Sequence, residues 1–473
     1  MSVAVLGTVV IDIGKTLSKA TLWGPDGTLI ARLTRPNDRV KGPGYLALDA
    51  AGIEAWLETA LAELGRRGRI EAIVPVAHGA AVAVVRDGGL QLPPVDYENP
   101  MSASERARYN AGRDPYELTG SPALPDGLNL GAQIHLLESL RPEVFRPGTM
   151  LLPWPQYWAW RLSGEAASEV TSLGCHSDLW CPVTGEPSDM AQRRGWADML
   201  PPLRWAGDCL GTLTRHWVER TGLPAGVRVH CGIHDSNAAL LAARGFPEIV
   251  AREATVLSTG TWFVAMRSTP SRVDLAALPE RRDCLVNVDS DGHPVPSARF
   301  MGGREIETLT GLDTRRLDIA PDQPRLVAAL PHVLGSGARV LPTFAAGTGP
   351  FPHARGRWVR MPADEAPRRA AVGLYAALMA DASLDLIGAR ERILIEGRFA
   401  EAEVFVRALA TLRQDTAVFV ANVQNDVSYG ALRLLDPGLP PLSTLQRVTP
   451  LGLSLDDYRG EWRAEAERME RAA

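Results

Sequence analysis

Short apolar stretches alternate with glycine-containing turns at the start of the chain. Residues 3–11 (VAVLGTVVI) are apolar and rich in β-branched side chains, a turn-like DIGKT follows at 12–16, and a second apolar stretch leads to Gly-Pro-Asp-Gly at 24–27. This alternation predicts strands joined by tight turns. We therefore expect an antiparallel meander of three strands, with Asp12 at its first turn.

The pattern then changes to a helical period and later returns to strands. Apolar residues recur three and four positions apart over 53–64, which predicts one face of an amphipathic helix, and the apolar run 70–76 predicts a buried strand. From Val229 the strand–turn–strand pattern starts again, around turns at 232–235 and 258–261. Two similar halves predict two related lobes.

Helices and strands alternate in the last third of the chain, which is typical of an α/β fold. The final stretch, DDYRGEWRAEAERMERAA, is strongly charged and predicts a solvated terminal helix. The other predicted helices span 370–388, 401–413 and 427–435. RILIEGRF at 392–399 predicts a strand that runs into a glycine turn, and 417–423 predicts a further strand.

Length and composition narrow the function classes. A chain of 473 residues exceeds one hydrophobic core and predicts two domains. The formal charge of −5, with basic residues scattered along the chain, argues against nucleic-acid binding. We find no apolar run long enough to span a membrane and no signal-peptide pattern, so we expect a cytoplasmic protein with no membrane partner. Five cysteines without paired spacing predict reduced thiols.

Gly14-Lys15-Thr16 invites comparison with a nucleotide-binding P-loop. A P-loop needs a glycine five positions before this tripeptide, and Val9 stands there. Asp12 also precedes the tripeptide, and a carboxylate repels phosphate unless a cation lies between them. The motif is therefore not a P-loop, although it remains a candidate for handling phosphate.

Three turns hold residues suited to phosphoryl transfer, which needs donors around the phosphate, a divalent cation and a proton acceptor. Asp12 is suited to orient Mg²⁺, and Asp235 is suited to act as the base. The turn residues that offer main-chain approach or a hydroxyl are Gly14, Thr16, Gly260 and Thr261.

Each turn also has an ordinary structural explanation. An Asp-x-Gly turn is a common hairpin element, and Ser-Thr-Gly-Thr is a routine turn composition. Asp235 precedes the helical run 236–243 and is placed to cap it. The order of the three turns and their strand contexts favour the joint chemical interpretation.

The order of motifs resembles the FGGY carbohydrate kinases, within the actin, hexokinase and heat-shock-chaperone superfamily, over about residues 4–436. The stretches MLLPWPQYWAWRLSGE, VLPTFAAGTGPFPHARG and ILIEGRFAEAEVFVRALAT contribute to the resemblance. The short motifs that carry it are Asp12-x-Gly14-x-Thr16, His78-Gly79-Ala80, Gly232-x-His234-Asp235 and Ser258-x-Gly260-Thr261-Trp262.

The resemblance implies an α/β protein of two ribonuclease-H-like domains of the actin/hexokinase type with a cleft between them. It implies a sugar-binding domain over 1–245, an ATP-binding domain over 246–440 and a helical tail over 441–473. By position, Asp235 resembles the general base and Asp12 the Mg²⁺-organising carboxylate, with Asp235 also near the metal. A homodimer is consistent with the resemblance.

The remaining site residues follow from the same resemblance. Gly397 would face the adenosine of ATP, and Lys15, which replaces a small hydroxyl residue, would neutralise phosphate charge. The residues expected to line the phosphates are Gly14, Lys15, Thr16, Gly260, Thr261 and Gly303. The residues expected to contact the sugar are His78, Glu98, His234 and Asp235.

The signals for the substrate conflict. His234-Asp235 with Ser-x-Gly-Thr-Trp resembles the rhamnulose and fuculose kinases, whereas His78-Gly79-Ala80 resembles the xylulose kinases. A deoxyketose is the first expectation, and a xylulose or polyol kinase is the alternative. Arg398 and Phe399 stand where small residues are expected, which leaves open a catalytically silent sugar or nucleotide sensor. A chaperone-like clamp ranks last, because no appended substrate-binding domain is visible.

Overall fold

The computed structural model describes residues 6–250, 252–314, 316, 318–421 and 427–473. These residues form two compact units, each described below by itself. Within the described residues, the first unit comprises 6–245, 286–294 and 427–440, and the second comprises the remainder.

The elements have the following bounds. The strands are β1 (Leu6–Ile13), β2 (Leu17–Trp23), β3 (Leu29–Pro36), β4 (Arg39–Lys41), β5 (Leu46–Leu48), β6 (Arg69–Ala77), β7 (Val82–Arg86), β8 (Gly89–Leu92), β9 (Met150–Pro153), β10 (Trp180–Cys181), β11 (Glu186–Pro187), β12 (Cys209–Thr212), β13 (Arg228–His230), β14 (Ile233–His234), β15 (Ala254–Thr259), β16 (Phe263–Ser268), β17 (Cys284–Val288), β18 (Pro294–Phe300), β19 (Arg339–Leu341), β20 (Arg357–Val359), β21 (Arg392–Gly397), β22 (Ala417–Ala421) and β23 (Leu445–Arg447). The α-helices are α1 (Ala50–Arg67), α2 (Ala103–Asn110), α3 (Tyr116–Thr119), α4 (Leu130–Leu140), α5 (Trp154–Ser163), α6 (Val170–Leu173), α7 (Asp189–Arg193), α8 (Arg215–Thr221), α9 (Asp235–Ala243), α10 (Pro247–Val250), α11 (Gly302–Thr310), α12 (Gln323–Ser336), α13 (Glu365–Leu386), α14 (Glu403–Leu412), α15 (Val427–Leu432) and α16 (Asp456–Ala472).

The main sheet of the first unit follows the order β12-β13-β6-β1-β2-β3, and β14 also pairs with β6. The first three strands form the predicted antiparallel meander, although residues 3–5 of the predicted first strand lie outside the described part. Strands β6, β13 and β14 run parallel to β1. The carboxyl ends of parallel strands meet at one edge of a sheet, so this order brings the ends of β1, β6 and β14 together.

Helix α1 shows why the apolar spacing predicted a helix. Asp49 caps its start, because its side chain accepts a hydrogen bond from the Gly52 amide at 2.9 Å. Ile53, Leu57 and Leu61 are at most 2% exposed and form the face that packs on the sheet. The helical prediction is confirmed, with ends a few residues beyond the periodic stretch.

The second unit repeats this plan. Strands β18, β16 and β15 form an antiparallel meander, and β21 and β22 continue the sheet in parallel. The predicted helices of the last third correspond to α13, α14 and α15. The strand predicted over 417–423 is β22, and residues 422 and 423 lie outside the described part. No helix of the described residues is long and apolar enough to cross a membrane.

The prediction of a solvated terminal helix is wrong for one face of α16. Trp462 and Ala466, one turn apart, are at most 1% exposed. The Trp462 indole donates to the Val340 carbonyl at 2.7 Å, and its ring lies 5.5 Å from that of Phe351. Only these two buried apolar positions mark this face, and the charged residues around them dominate the sequence pattern.

Candidate functional site

The first unit gathers several predicted site residues at one edge of its main sheet. Asp12 is the penultimate residue of β1 and is in register with Val76 of β6. Strand β6 ends at Ala77, directly before His78. His234 of β14 is in register with Ala77 of the same strand, and Asp235 follows it as the first residue of α9. Three parallel strand ends therefore bring together residues separated by more than 200 positions in the sequence.

Asp235 has the protonation state that a general base requires. Its Oδ1 lies 3.1 Å from Nε2 of His234 and accepts a hydrogen bond from the Ser236 hydroxyl at 3.2 Å. Burial raises the pKa of Asp235, but the hydrogen bond and charge of His234 outweigh this effect, so the pKa is lowered. The side chain is 32% exposed, so an ionised carboxylate remains within reach of a substrate.

The imidazole of His234 is held by protein groups on both sides. Its Nε2 faces Asp235 and lies 3.5 Å from the Cys175 thiol, while its Nδ1 lies 3.4 Å from the Asn237 amide. Burial lowers the pKa of His234, but Cys175 and Asp235 outweigh it and raise that pKa. The predicted sugar contact of His234 stays a prediction. Sequence reasoning missed Cys175 and Asn237. The only available signal was that Asn237 lies two positions after Asp235 in the chain.

His78 differs from His234 because its ring is buried without polar partners. It is 8% exposed, and neither ring nitrogen has a hydrogen-bond partner among the described residues. The Tyr97 ring meets it edge-on at 5.7 Å. Burial lowers the pKa of His78 to about 4, so the imidazole is neutral and offers one donor and one acceptor. Buried polar groups are normally satisfied, which makes His78 a candidate for binding substrate hydroxyls.

We expect His78 to make stability depend on pH. Because its folded pKa of about 4 is below the ordinary value of 6.5, the unfolded chain binds more protons between these values, and stability falls as the pH decreases through this window. The loss is on the order of 3 kcal/mol. Chemical denaturation of wild type and His78→Gln between pH 4 and 7 measures it. An identical slope for the two proteins would contradict the assignment.

Lys15 is held by two carboxylates beside His78. Its Nζ lies 2.7 Å from Asp96 and 3.0 Å from Glu98, and 3.8 Å from the centre of the Tyr97 ring. Its charge is therefore already compensated, and the predicted phosphate contact of Lys15 stays a prediction. Glu98, predicted to bind a sugar hydroxyl, is 48% exposed, whereas Asp96 is fully buried. Sequence reasoning named Glu98 and missed Asp96, because their exposure is not visible in the sequence.

The turn between β1 and β2 has the form that the sequence predicted. The Gly14 amide donates to the Leu17 carbonyl at 3.1 Å, and the Asn37 side chain donates to the Gly14 carbonyl at 2.7 Å. Thr16 is exposed at the turn. Asp12, 6% exposed, pairs with Lys19 at 3.0 Å. Mg²⁺ is commonly held by one or two carboxylates together with substrate phosphates, and the predicted role of Asp12 toward Mg²⁺ stays a prediction.

The second unit brings three of its predicted glycines together. Gly260 forms the turn between β15 and β16, where its amide donates to the Trp262 carbonyl at 3.0 Å. A Cβ on Gly303 would lie 2.1 Å from the Gly260 carbonyl oxygen, and one on Gly397 would lie 2.3 Å from the Thr259 carbonyl oxygen. Gly397 also has φ of 84°, which favours glycine. These close approaches form a cradle of main-chain groups beside the exposed Thr261.

A cavity of about 160 Å³ lies in the second unit, between helices α11, α12, α13 and α14. Its walls are largely apolar, with Asp322 and Arg369 forming an ion pair of 2.7 Å at one side. Phe399 contributes to the wall, but it is 3% exposed and packs 5.2 Å from Phe263. The ring therefore belongs to the hydrophobic core, which explains how an aromatic side chain is accommodated after Gly397.

Comparison with known proteins identifies the family. Residues 251–441 match the model of the carbohydrate kinase FGGY, C-terminal domain. A solved carbohydrate kinase from Novosphingobium aromaticivorans is 56% identical, with 98% of this chain and 99% of that chain covered and a TM-score of 0.94. The chain belongs to the FGGY family of carbohydrate kinases. The resemblance inferred from the sequence, and the α/β fold of two actin/hexokinase-type domains, are confirmed.

Other relatives of this FGGY kinase are more distant. An L-fuculokinase from Salmonella typhi is 25% identical over 358 residues, which is 72% of this chain and 70% of that protein. The xylulose kinase from Rhodospirillum rubrum is 20% identical, with 98% of this chain and 97% of that chain covered and a TM-score of 0.78, and it shares the fold. This FGGY kinase is therefore an enzyme that phosphorylates a small-molecule sugar.

Proposed function

We propose that this kinase transfers the γ-phosphoryl of MgATP to a hydroxyl of a ketose or deoxyketose, with sugars like L-rhamnulose and L-fuculose first. The observation that carries the proposal is the ionised carboxylate of Asp235, held by His234 at 3.1 Å. It lies at the same sheet edge as His78, whose ring nitrogens have no hydrogen-bond partner in the part of the chain that the structure describes. A general base must be deprotonated and accessible to the substrate. A site for a neutral sugar needs hydrogen-bond donors and acceptors without an excess of charge.

The charges near His78 support a neutral substrate. Lys15 and Arg39 face Asp96 and Glu98, so two cations balance two anions. Asp96 Oδ2 accepts no hydrogen bond among the described residues. A buried carboxylate oxygen and a buried neutral imidazole are suited to bind adjacent hydroxyl groups of a sugar.

The glycines and the cavity of the second unit support ATP as the phosphoryl donor. At Gly303 and Gly397 the main chain approaches the turn around Gly260 so closely that no side chain fits, and such close main-chain packing is consistent with backbone amides that face a phosphate. The neighbouring cavity is largely apolar and has the character of a pocket for a nucleobase. Asp12 would hold Mg²⁺, which neutralises charge on the transferred phosphoryl.

The rank of deoxyketoses rests on the pair His234-Asp235 and on the similarity to an L-fuculokinase. A xylulose or polyol kinase remains the second candidate, favoured by the resemblance of His78-Gly79-Ala80 to the xylulose kinases. The hypothesis of a silent sensor rested on Arg398 and Phe399. The packing of Phe399 in the core weakens the part of that argument that rests on Phe399, and the silent sensor stays an alternative. The predicted homodimer stays a prediction.

The test is ADP release in a coupled assay with MgATP across L-rhamnulose, L-fuculose, D- and L-xylulose, D-ribulose, erythritol and glycerol. Preference for L-rhamnulose or L-fuculose by at least tenfold in kcat/KM supports the first candidate. A higher kcat/KM for a xylulose or a polyol would transfer the assignment to the second. Absence of ADP release with every sugar of the panel would overturn both substrate assignments.

Filling the cavity of the second unit should weaken ATP binding selectively. Ala402 lies in the cavity wall at the start of α14, and its backbone, with φ of −79°, accepts a larger residue. We expect Ala402→Phe to raise the KM for ATP by about tenfold, which corresponds to roughly 1.4 kcal/mol. Steady-state kinetics should show an unchanged KM for the sugar. Equal increases in both KM values would contradict a nucleotide role for the cavity.

A further inference from the structure

The backbone that precedes Asp235 is held by polar side chains from distant parts of the first unit. The Gln156 amide donates to the carbonyls of Cys231 and Gly232 at 3.3 and 3.1 Å. The His234 amide donates to the Thr171 hydroxyl at 3.1 Å. These contacts fix the segment from which the proposed base extends.

Thr171 is in turn fixed by Glu169. The Thr171 hydroxyl donates to Glu169 Oε2 at 2.6 Å, and the Thr171 amide donates to Oε1 at 2.9 Å. Ser172 donates to the same carboxylate from its amide at 3.1 Å and its hydroxyl at 3.3 Å. All three side chains are fully buried.

The hydroxyl of Thr171 has one orientation that satisfies both neighbours. Because its proton is given to Glu169, its lone pairs are directed to accept from the His234 amide. The His234 amide can only donate, so the Thr171 hydroxyl must accept from it and give its own proton to its other neighbour, Glu169 Oε2. Glu169 thus orients Thr171, and Thr171 holds the residue directly before Asp235.

We propose that Thr171, oriented by Glu169, is a positioning residue for the proposed base Asp235. The inference rests on the proposed function in one respect, the role of Asp235. Displacements of about 1 Å at a reacting group reduce rates by as much as 10²-fold, so loss of this contact acts on turnover. It leaves the sugar contacts of His78 and Asp96 in place.

The experiment compares three variants in the full chain. Thr171→Val removes the hydroxyl at nearly constant volume, and Thr171→Ser keeps it. Ser172→Ala removes a hydroxyl that also donates to Glu169 but makes no contact with His234. We expect Thr171→Val to lower kcat at least tenfold with the KM for sugar within twofold of wild type. Thr171→Ser should recover most of the activity, and Ser172→Ala should retain it even where its melting temperature falls.

Hydrogen–deuterium exchange of the peptide around His234 supplies a readout that does not need turnover. Thr171→Val should accelerate exchange there, and Ser172→Ala should not. A wild-type kcat in Thr171→Val, or an equal loss in Thr171→Ser, would overturn the inference. If the wild type releases no ADP with any sugar of the panel, the proposed substrates are wrong, and the hydrogen–deuterium exchange alone tests the role of Thr171. Faster exchange only in Thr171→Val supports the inference, and unchanged exchange overturns it.

Discussion

Replacing Asp235 with asparagine is expected to lower kcat by 10²–10⁴-fold, the contribution that proton transfer to a positioned base typically makes. Asparagine has nearly the same shape and keeps an oxygen that can accept from His234 Nε2, which lies 3.1 Å from the present carboxylate. It cannot accept the proton of the attacking hydroxyl. The KM for sugar and the melting temperature should therefore change little while turnover is lost.

The measurement is ADP release with the best sugar of the panel, at saturating ATP. Ser236→Ala is the matched control, because the Ser236 hydroxyl donates to Asp235 Oδ1 at 3.2 Å without being able to replace the base. We expect less than a tenfold effect on kcat from this control. Retention of more than about a tenth of the activity in Asp235→Asn would remove Asp235 from the role of base.

The pH profile gives an independent check on Asp235. Its pKa is held below the ordinary value by His234, so the carboxylate stays ionised above that ordinary value of 3.8. We therefore expect no loss of kcat from protonation of this group between pH 5 and 8. Replacement by asparagine should lower the rate evenly across this interval, without moving either limb of the profile.

The sequence was sufficient to predict several helices and strands, and one set of residues that are distant in the chain but lie together in the fold. Helix α1 and the strands around the Gly14 and Gly260 turns followed from apolar spacing and glycine alone. The meeting of Asp12 with His78 and Asp235 followed from the family resemblance, and the structure explains it by parallel strands that end at one edge.

The polar contacts between distant segments could not be predicted. Lys15 and Asp96 are 81 positions apart, and Thr171 and His234 are 63 apart, so neither spacing carries a periodic signal. Charge type alone suggested a phosphate partner for Lys15, because the nearby carboxylates become visible only in the folded chain. The burial of Trp462 was missed for a similar reason, since the surface that covers one face of a charged helix lies elsewhere in the sequence.

The second large effect is expected from Gly303→Ala, which tests the cradle proposed for the phosphates. Gly303 lies in the first turn of α11, where alanine would ordinarily favour the helix by about 1 kcal/mol over glycine. A Cβ at this position would lie 2.1 Å from the Gly260 oxygen and 3.1 Å from the Thr261 Cα, so the turn must move away. Both atoms belong to the main chain, which no side-chain rotation can relieve.

We expect Gly303→Ala to lower kcat/KM for ATP by about 10², the effect of a displacement near 1 Å at a reacting group. The KM for sugar should be unchanged, because the residues proposed to bind the sugar belong to the first unit. Gly335→Ala in α12 is the matched control, since a Cβ there meets no atom of the described residues within 4 Å outside the backbone of its own helix and should leave the KM for ATP unchanged. Steady-state kinetics with ATP as the varied substrate distinguishes the two. Normal ATP kinetics in Gly303→Ala would show that the close approach of Gly303 to the Gly260 turn serves packing, and that phosphate binding depends on other groups.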